Sequence, residues 1–459
     1  MSEVVIIGGG ISGLSTAYYL AKGAASSTIL ESRPRLGGVI QTEHVEGCTL
    51  EAGPDSFISI KPAALELIRD LGMADDVIGS NDHLRVTFVR KGGRLVPLPE
   101  GLMMMVPTRI LPLLTTRLLS FTTKARMGLE LFRSPAPHAG DESVAQFVEE
   151  HYGQEAVDYL AEPLLSGIYG GDPTELSVTS VLPRFVELSA RYGSLTRGVL
   201  AMRAKTRSSG PSAPLFRTLK SGLGSMVDAV ARAIEGHATV RQVRAEAVER
   251  TGSGFRVRAG GDWIEAANVV LACEAHNAGP LLTAVDPRLA ELLGGVAYSS
   301  SMTVAVGFRA SDFANPPVGF GFLVPKKERR RLVACTWVGT KFSYRVPDGL
   351  IVARCFLGGM EDAGILGESD DTVTAAVTEE LREIAGVTAR PVFTRIARWP
   401  RAMAQYTVGH PARLAEIQSR VGAVPGLHLA GNAYEGIGIP DCIRMGKRAA
   451  DAILAARRD

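Results

Sequence analysis

Apolar residues fall into distinct spacings along this chain. An unbroken run at Val4–Ile7 predicts a strand buried on both faces, as in a parallel sheet. Glycines follow, then a helical pattern as far as Leu20, and a second short run, "STIL" at 27–30, predicts another strand. From 97 the texture becomes "PLPEGLMMMVPTRILPLLTTRLLSFTTKARMGLELF", rich in Met and Leu and broken by prolines, which predicts helices. "RAKTRSSGPSAPL" (203–215) is polar and predicts a mobile loop or hinge. Between 217 and 275 a helix ("SMVDAVARAIEG") and short strands return, closing on the apolar "ANVVLAC". From 296 to 358, alternation in "MTVAVGFRA", "RLVACTWVG" and "GLIVARCFLGG" predicts an antiparallel sheet with one buried face. A helix is expected at 372–385, and the last segment, "GLHLAGNAYEGIGIPDCIRMGKRAADAIL", is patterned as strand, turn and helix.

At 459 residues the chain is long enough for two or three domains, and 46% hydrophobic against 21% charged residues marks it as folded. Lys+Arg 50 against Asp+Glu 48 leaves a net charge of +2, which implies no polyanionic partner and no nucleic acid. Cys48, Cys273, Cys335, Cys355 and Cys442 are scattered without a CxxC, so neither a metal site nor a disulfide framework is expected. The opening Met1-Ser2-Glu3 has no basic n-region or cleavage site, and no uncharged run reaches about 18 residues. A mature, cytoplasmic protein without a membrane span is the expectation.

Gly8, Gly10 and Gly13 form a GxGxxG between the first strand and helix, with Ile11 and Ser12 in the helix's first turn. Glu31 ends the second strand. This is the dinucleotide fingerprint in its required setting. Gly8 makes the tight turn, Gly10 lets backbone reach a pyrophosphate, and Gly13 lets helix and strand pack. The helix end offers free N–H groups and positive dipole to phosphates, and Glu31 can accept the ribose hydroxyls.

That fingerprint alone leaves NAD and FAD open. "SRPRLGG", with Ser32, Arg35, Gly37 and Gly38, and "EAGPDSF", with Gly53, Pro54, Asp55 and Ser56, decide between them. They are similar to the R-x-G-G extension of FAD enzymes in the glutathione-reductase and amine-oxidase superfamily. The expected fold is α/β: a discontinuous Rossmann-like FAD domain of that type at 1–82, 215–278 and 396–459. An α+β antiparallel-sheet substrate domain is expected at 83–98, 185–214 and 279–395, and a helical insertion at 99–184. The insertion carries Arg109, Arg117, Lys124 and Arg126 among its Met and Leu residues, a pattern that suits a membrane surface or, equally, an internal core.

"VVIIGGGISGLSTAYYL", "EAGPDSF", "LLSGIYGGDPTELSV", "RWPRAMAQY" and "LAGNAYEGIGIPDCI" together resemble the oxygen-dependent protoporphyrinogen oxidases and the related coproporphyrinogen III oxidases of Gram-positive-type bacteria. The likeness spans nearly the whole chain. Most amine oxidases have an aromatic residue near the position of Ile439 and Gly-Asp where this chain has Gly431-Asn432.

The resemblance implies a set of roles. The glycines, Glu31, Ser32 and Arg35 would hold the adenosine and pyrophosphate. Gly53–Ser56 would lie near the flavin, and the backbone of Ala245, where the family usually has Val, would meet the adenine. Trp399, Asn432, Ile437, Gly438 and Ile439 would complete the flavin site, with Gly436 and Gly438 letting the last helix point its N-terminus at the ring and Pro440 at its first position. Arg85 would pair with a propionate, while Gly167, Phe320, Leu323 and Phe356 would wall the tetrapyrrole. The implied reaction is six-electron oxidation of protoporphyrinogen IX or coproporphyrinogen III by O2, with H2O2 released, in heme biosynthesis. Orientation rather than an acid–base triad is what such a substrate needs, so no catalytic side chain is named.

Other readings stay open. An amine-oxidase or carotenoid-desaturase type of enzyme would share the cofactor fold, and a non-enzymatic relative of the prenyl-GTPase escort kind would keep it without FAD. Lys61 reads as a solvated helix-start lysine or a carboxylate partner, and Cys442 as an inert buried thiol. The run Lys326-Lys327-Glu328-Arg329-Arg330-Arg331 reads as a solvated hairpin tip, or as a surface steering the substrate or a ferrochelatase. Placement on the inner face of the cell membrane is the alternative to a purely cytoplasmic protein.

Overall fold

The computed structural model describes residues 2–135, 140–206, 213–252 and 254–457. The chain forms two compact units. One comprises Met1–Ser80, Pro214–Ala297 and Ala412–Asp459, the other Asn81–Ala213 and Tyr298–Pro411.

In the first unit the apolar run is the strand Ser2–Ile7, whose Val4, Val5 and Ile6 have no exposed surface. It pairs in parallel with Ser27–Leu30 on one side and Asp262–Leu271 on the other. Ala238–Arg241 extends the parallel sheet beyond Ser27–Leu30, and Leu427–Leu429 beyond Asp262–Leu271. Gly254–Ala259 and Ala245–Thr251 add an antiparallel flap. Register decides what this sheet is for. Ile7 lies opposite Leu30 and Leu271, and Leu271 opposite Leu429. Gly8, Glu31, Ala272 and Ala430 therefore leave the sheet at one carboxyl edge, where open α/β sheets bind ligands.

The helix Ile11–Lys22 buries every residue from Ile11 to Leu20, because it is covered by the final helix, Ile439–Ala456. Thr16 Oγ1 donates to the Gly446 carbonyl at 3.2 Å, and a side chain at Gly446 would overlap the Ser12 carbonyl oxygen.

In the second unit a mixed sheet runs in the order Pro391–Gln405, Ala297–Arg309, Leu350–Gly359, Ala334–Trp337, Gly321–Leu323, Thr87–Lys91, Arg94–Pro97. The expected buried face is formed by Met302, Val304, Phe308, Phe322, Cys355 and Leu357. Against it pack Val373, Val377 and Leu381 of the helix Asp370–Ala385. That helix starts two residues before the expected position because Ser369 Oγ accepts the Thr372 N–H at 3.2 Å and caps it.

The stretch from 97 is less helical than its composition predicts. Leu102–Met103 and Val106–Pro107 form a small hairpin turned through Met104 at φ +54°. Prolines 97, 99 and 107 and Gly101 keep the backbone out of a helix there, so helix begins at Ile110–Thr115 and resumes at Phe121–Leu129, which runs into a 3-10 turn at Glu130–Phe132. Of the predicted loop 203–215, residues 203–206 belong to the helix Leu195–Thr206, and 207–212 lie outside the described residues.

Candidate functional site

The glycine turn follows from close backbone approaches. Gly8 has φ +110°, and a Cβ there would sit 2.8 Å from the Ala272 carbonyl carbon. A Cβ on Gly13 would overlap the Gly8 carbonyl oxygen, so strand and helix meet only because 13 is glycine. At Gly10, the N-cap, a Cβ would meet nothing closer than Gly38 Cα at 4.0 Å. No side chain caps this helix, which leaves first-turn N–H groups directed outward.

Glu31 is 7% exposed at the sheet edge. Its Oε2 accepts the Gly9 N–H at 2.7 Å and its Oε1 the Arg33 N–H at 2.8 Å. These bonds hold the carboxylate in place and leave each oxygen a further lone pair for a ligand hydroxyl. Ser32 is exposed beside it. Arg35 is tied to its own loop: the guanidinium donates to the carbonyls of Gly38 (2.5 Å), Ile40 (3.0 Å) and Leu36 (3.1 Å). Gly37 bridges in parallel to Gly10 and donates to Gly9 O at 2.8 Å. Arg35 therefore shapes the Gly37-Gly38 loop against the fingerprint. A Cβ on Gly53 would overlap Val39 O, which packs the Gly53–Ser56 turn on the same loop, and Ser56 Oγ donates to Asp55 Oδ1 at 2.6 Å. Ala245 is buried at a bulge opposite Ala259.

The chain's other end arrives at the same place. After Leu427–Leu429, Gly431 and Asn432 begin a turn that runs through Gly436 (φ +119°) and Ile437 to Gly438, the N-cap of the final helix. Ile439 is the first helical residue and Pro440 the second, one later than the sequence suggests. Cys442 hydrogen-bonds to Ser12, so the first turns of the two helices lie side by side. Burial pushes the Cys442 thiol up to about 11 and keeps it protonated. Glu435 accepts from Arg444 Nη1 at 3.0 Å and Arg448 Nη2 at 2.7 Å and pins this turn to its helix; burial raises its pKa, but those bonds outweigh it and lower the net value.

In the second unit, Gly321 pairs with Thr87, Leu323 with Val89 and Ala334, and Ala334 with Phe356. Alternation from the buried Phe322 and Cys355 puts Leu323 and Phe356 on the sheet's other face. A Cβ on Gly167 would touch Leu323 Cδ2 at 3.4 Å. Phe320 donates its N–H to Val86 O at 2.8 Å, next to the exposed Arg85. Arg354 lies 4.6 Å from the Phe356 ring centroid. Trp399, buried on Pro391–Gln405, also belongs to this unit.

The Lys326–Arg331 run connects the antiparallel strands Gly321–Leu323 and Ala334–Trp337 as an exposed hairpin tip, and its cations are paired. Lys326 pairs with Asp172 (2.9 Å) and Glu361, Lys327 with Asp158 (2.8 Å), and Arg329 with Glu162 (2.6 Å). Arg330 pairs with Glu383 (2.7 Å) and Arg331 with Glu368 (2.6 Å). Its positive charge is matched internally, by carboxylates too distant in sequence to be anticipated.

These residues fit FAD. An uncapped helix N-terminus faces a cradle open at Gly10, an oriented carboxylate stands at the carboxyl edge, and a second glycine turn lies beside them. Fold and site define an FAD-dependent oxidoreductase.

The family model described as flavin containing amine oxidoreductase matches residues 11–454. Coproporphyrinogen III oxidase of Bacillus subtilis (strain 168) is 32% identical, covering 98% of each chain. The Staphylococcus aureus enzyme of that name is 31% identical, covering 99% of each. A crystal structure from Exiguobacterium sp. 255-15, provisionally named a protoporphyrinogen oxidase, has 30% identity, TM-score 0.89 and 99% coverage of both chains. Cyclohexylamine oxidase from Brevibacterium oxydans shares the fold, with TM-score 0.72 at 18% identity and 100% coverage of both. The chain belongs to the flavin containing amine oxidoreductase family. It is an FAD-dependent oxidase.

Proposed function

We propose that this enzyme oxidises a porphyrinogen, coproporphyrinogen III or protoporphyrinogen IX, to the porphyrin in heme biosynthesis, using O2 and releasing H2O2. The observation that carries the reading is the relationship to coproporphyrinogen III oxidases along nearly the whole chain. When bound, FAD supplies the hydride acceptor and passes the electrons to O2.

The chain's own part is to bind and orient. First-turn amides beyond Gly10 take the pyrophosphate, Glu31 the ribose, and the final helix's N-terminus, with Asn432, Ile437, Gly438 and Ile439, the pyrimidine side of the ring. Gly53–Ser56 complete the ring site, and Ala245 lies at the adenine. Gly167, Phe320, Leu323 and Phe356 offer the apolar wall a macrocycle needs, and Arg85 takes a propionate. No general base is required, because the pyrrole protons leave to water.

The partners in this reading are a ferrochelatase that receives the product and a membrane surface. The second is supported by the exposed Ile110, Leu111, Leu114, Phe121, Leu129 and Phe132, each 57–83% exposed. Arg109, Arg117, Lys124, Arg126 and Arg133 are interspersed, and the one acid of the stretch, Glu130, is buried. An apolar, basic surface suits peripheral contact with anionic lipid on the inner face of the cell membrane. Among the described residues no helix is long and apolar enough to cross a membrane.

The test is to prepare both porphyrinogens anaerobically and follow porphyrin fluorescence on admitting air. Porphyrin formation with O2 uptake supports the reading. Turnover of a primary amine with neither porphyrinogen oxidised overturns it.

A further inference from the structure

Lys61 reaches a carboxylate of the protein itself. Its ammonium donates to Asp441 Oδ2 at 2.7 Å, joining positions 380 residues apart. Asp441 is the third residue of the final helix and is 6% exposed. The Lys61 side chain, by contrast, is about half exposed. The carboxylate folds back over the glycine turn: a Cβ on Gly436 would lie 2.5 Å from Asp441 Oδ2, and one on Gly438 3.2 Å from it. Arg444 stands farther off, at 3.9 Å from Asp441 Oδ1. A full negative charge thus occupies a helix end whose own dipole is positive, with one close cation beside it.

We propose that the Lys61–Asp441 pair sets the reduction potential of the flavin. Reduction places negative charge on the flavin's pyrimidine edge. Asp441 alone would oppose that charge, and Lys61 cancels Asp441, so that the helix end keeps its favourable dipole. The inference rests on the reading that this helix end faces the flavin ring.

The experiment measures the two-electron midpoint potential of the FAD-loaded enzyme by equilibration with redox dyes. In Lys61→Met the ratio of reduced to oxidised flavin at the wild-type midpoint should fall about tenfold, a midpoint about 30 mV lower. Asp441→Asn should raise the midpoint by a similar amount, the double variant should return near wild type, and Lys61→Arg should leave it unchanged. A pair that is only a structural strut would change thermal stability without opposed shifts in potential. Shifts of the same sign, or unchanged potentials in protein fully loaded with FAD, overturn the proposal. So does a raised KM in Lys61→Met at wild-type potential, which would make Lys61 a substrate contact. Because Lys61 is half exposed, its substitution carries the sign test even where Asp441→Asn folds poorly. Wild-type protein that binds no FAD would instead overturn the cofactor reading.

Discussion

Gly10→Ala separates the cradle's role in binding from its role in folding. Gly10 has φ −71° and ψ 177°, a conformation alanine adopts freely, and the added methyl meets nothing nearer than Gly38 Cα at 4.0 Å. Stability should change by the small difference between two N-cap residues, about 1 kcal/mol or less. The same methyl stands where a pyrophosphate must approach the first-turn N–H groups. Losing one hydrogen bond to a charged group costs about 1.5–3 kcal/mol, so FAD affinity should fall about tenfold to 150-fold. Urea denaturation of the apoprotein measures the first quantity, and flavin fluorescence quenching during titration measures the second. Gly13→Ala is the contrast, because its methyl overlaps the Gly8 carbonyl oxygen and helix and strand must separate. There the apoprotein itself should lose about 3 kcal/mol. Wild-type FAD affinity in Gly10→Ala would refute the reasoning.

Three further outcomes are expected. Arg85→Ala should raise KM for the porphyrinogen far more than it lowers kcat in steady-state assays, since the arginine would bind substrate and transition state alike. Glu130 is buried with His151 at 2.9 Å; burial raises its pKa, but hydrogen bonds from His151, Ser194 and the Leu195 N–H outweigh this and hold it below its usual 4.5. Its contribution to stability is therefore complete above pH 4.5 and lost as pH falls through the lower folded value; Glu130→Gln should cost about 3 kcal/mol at neutral pH and flatten the acid limb of Tm against pH. Phe121→Glu with Phe132→Glu should abolish co-sedimentation with anionic vesicles while leaving porphyrinogen oxidation in detergent solution unchanged, and wild-type protein should release from the vesicles as salt rises.

What was readable from sequence is what local backbone chemistry imposes. Gly13 is dictated by the Gly8 carbonyl oxygen five residues earlier, and the alternation in 296–358 by a sheet with one buried face. Contacts between distant segments were not readable. Nothing near Lys61 announces Asp441, and nothing near Lys326–Arg331 announces Asp158, Glu162, Glu368 or Glu383, so the exposure of these cations was legible but their carboxylate partners were not. The bonds that Arg35 makes were likewise out of reach: its guanidinium donates to three carbonyls of its own loop and shapes the Gly37-Gly38 turn beside the fingerprint. At 102–107 the Met-rich composition outweighed the proline and glycine signals in the sequence reading, and the backbone followed the latter.

The central claim is that both ends of the chain close on one FAD. Its most direct test is the absorption spectrum of the purified protein, with the released flavin quantified after denaturation. The account predicts a yellow protein carrying one equivalent of FAD, or acquiring it on reconstitution. A colourless protein that takes up no flavin from excess FAD would contradict it.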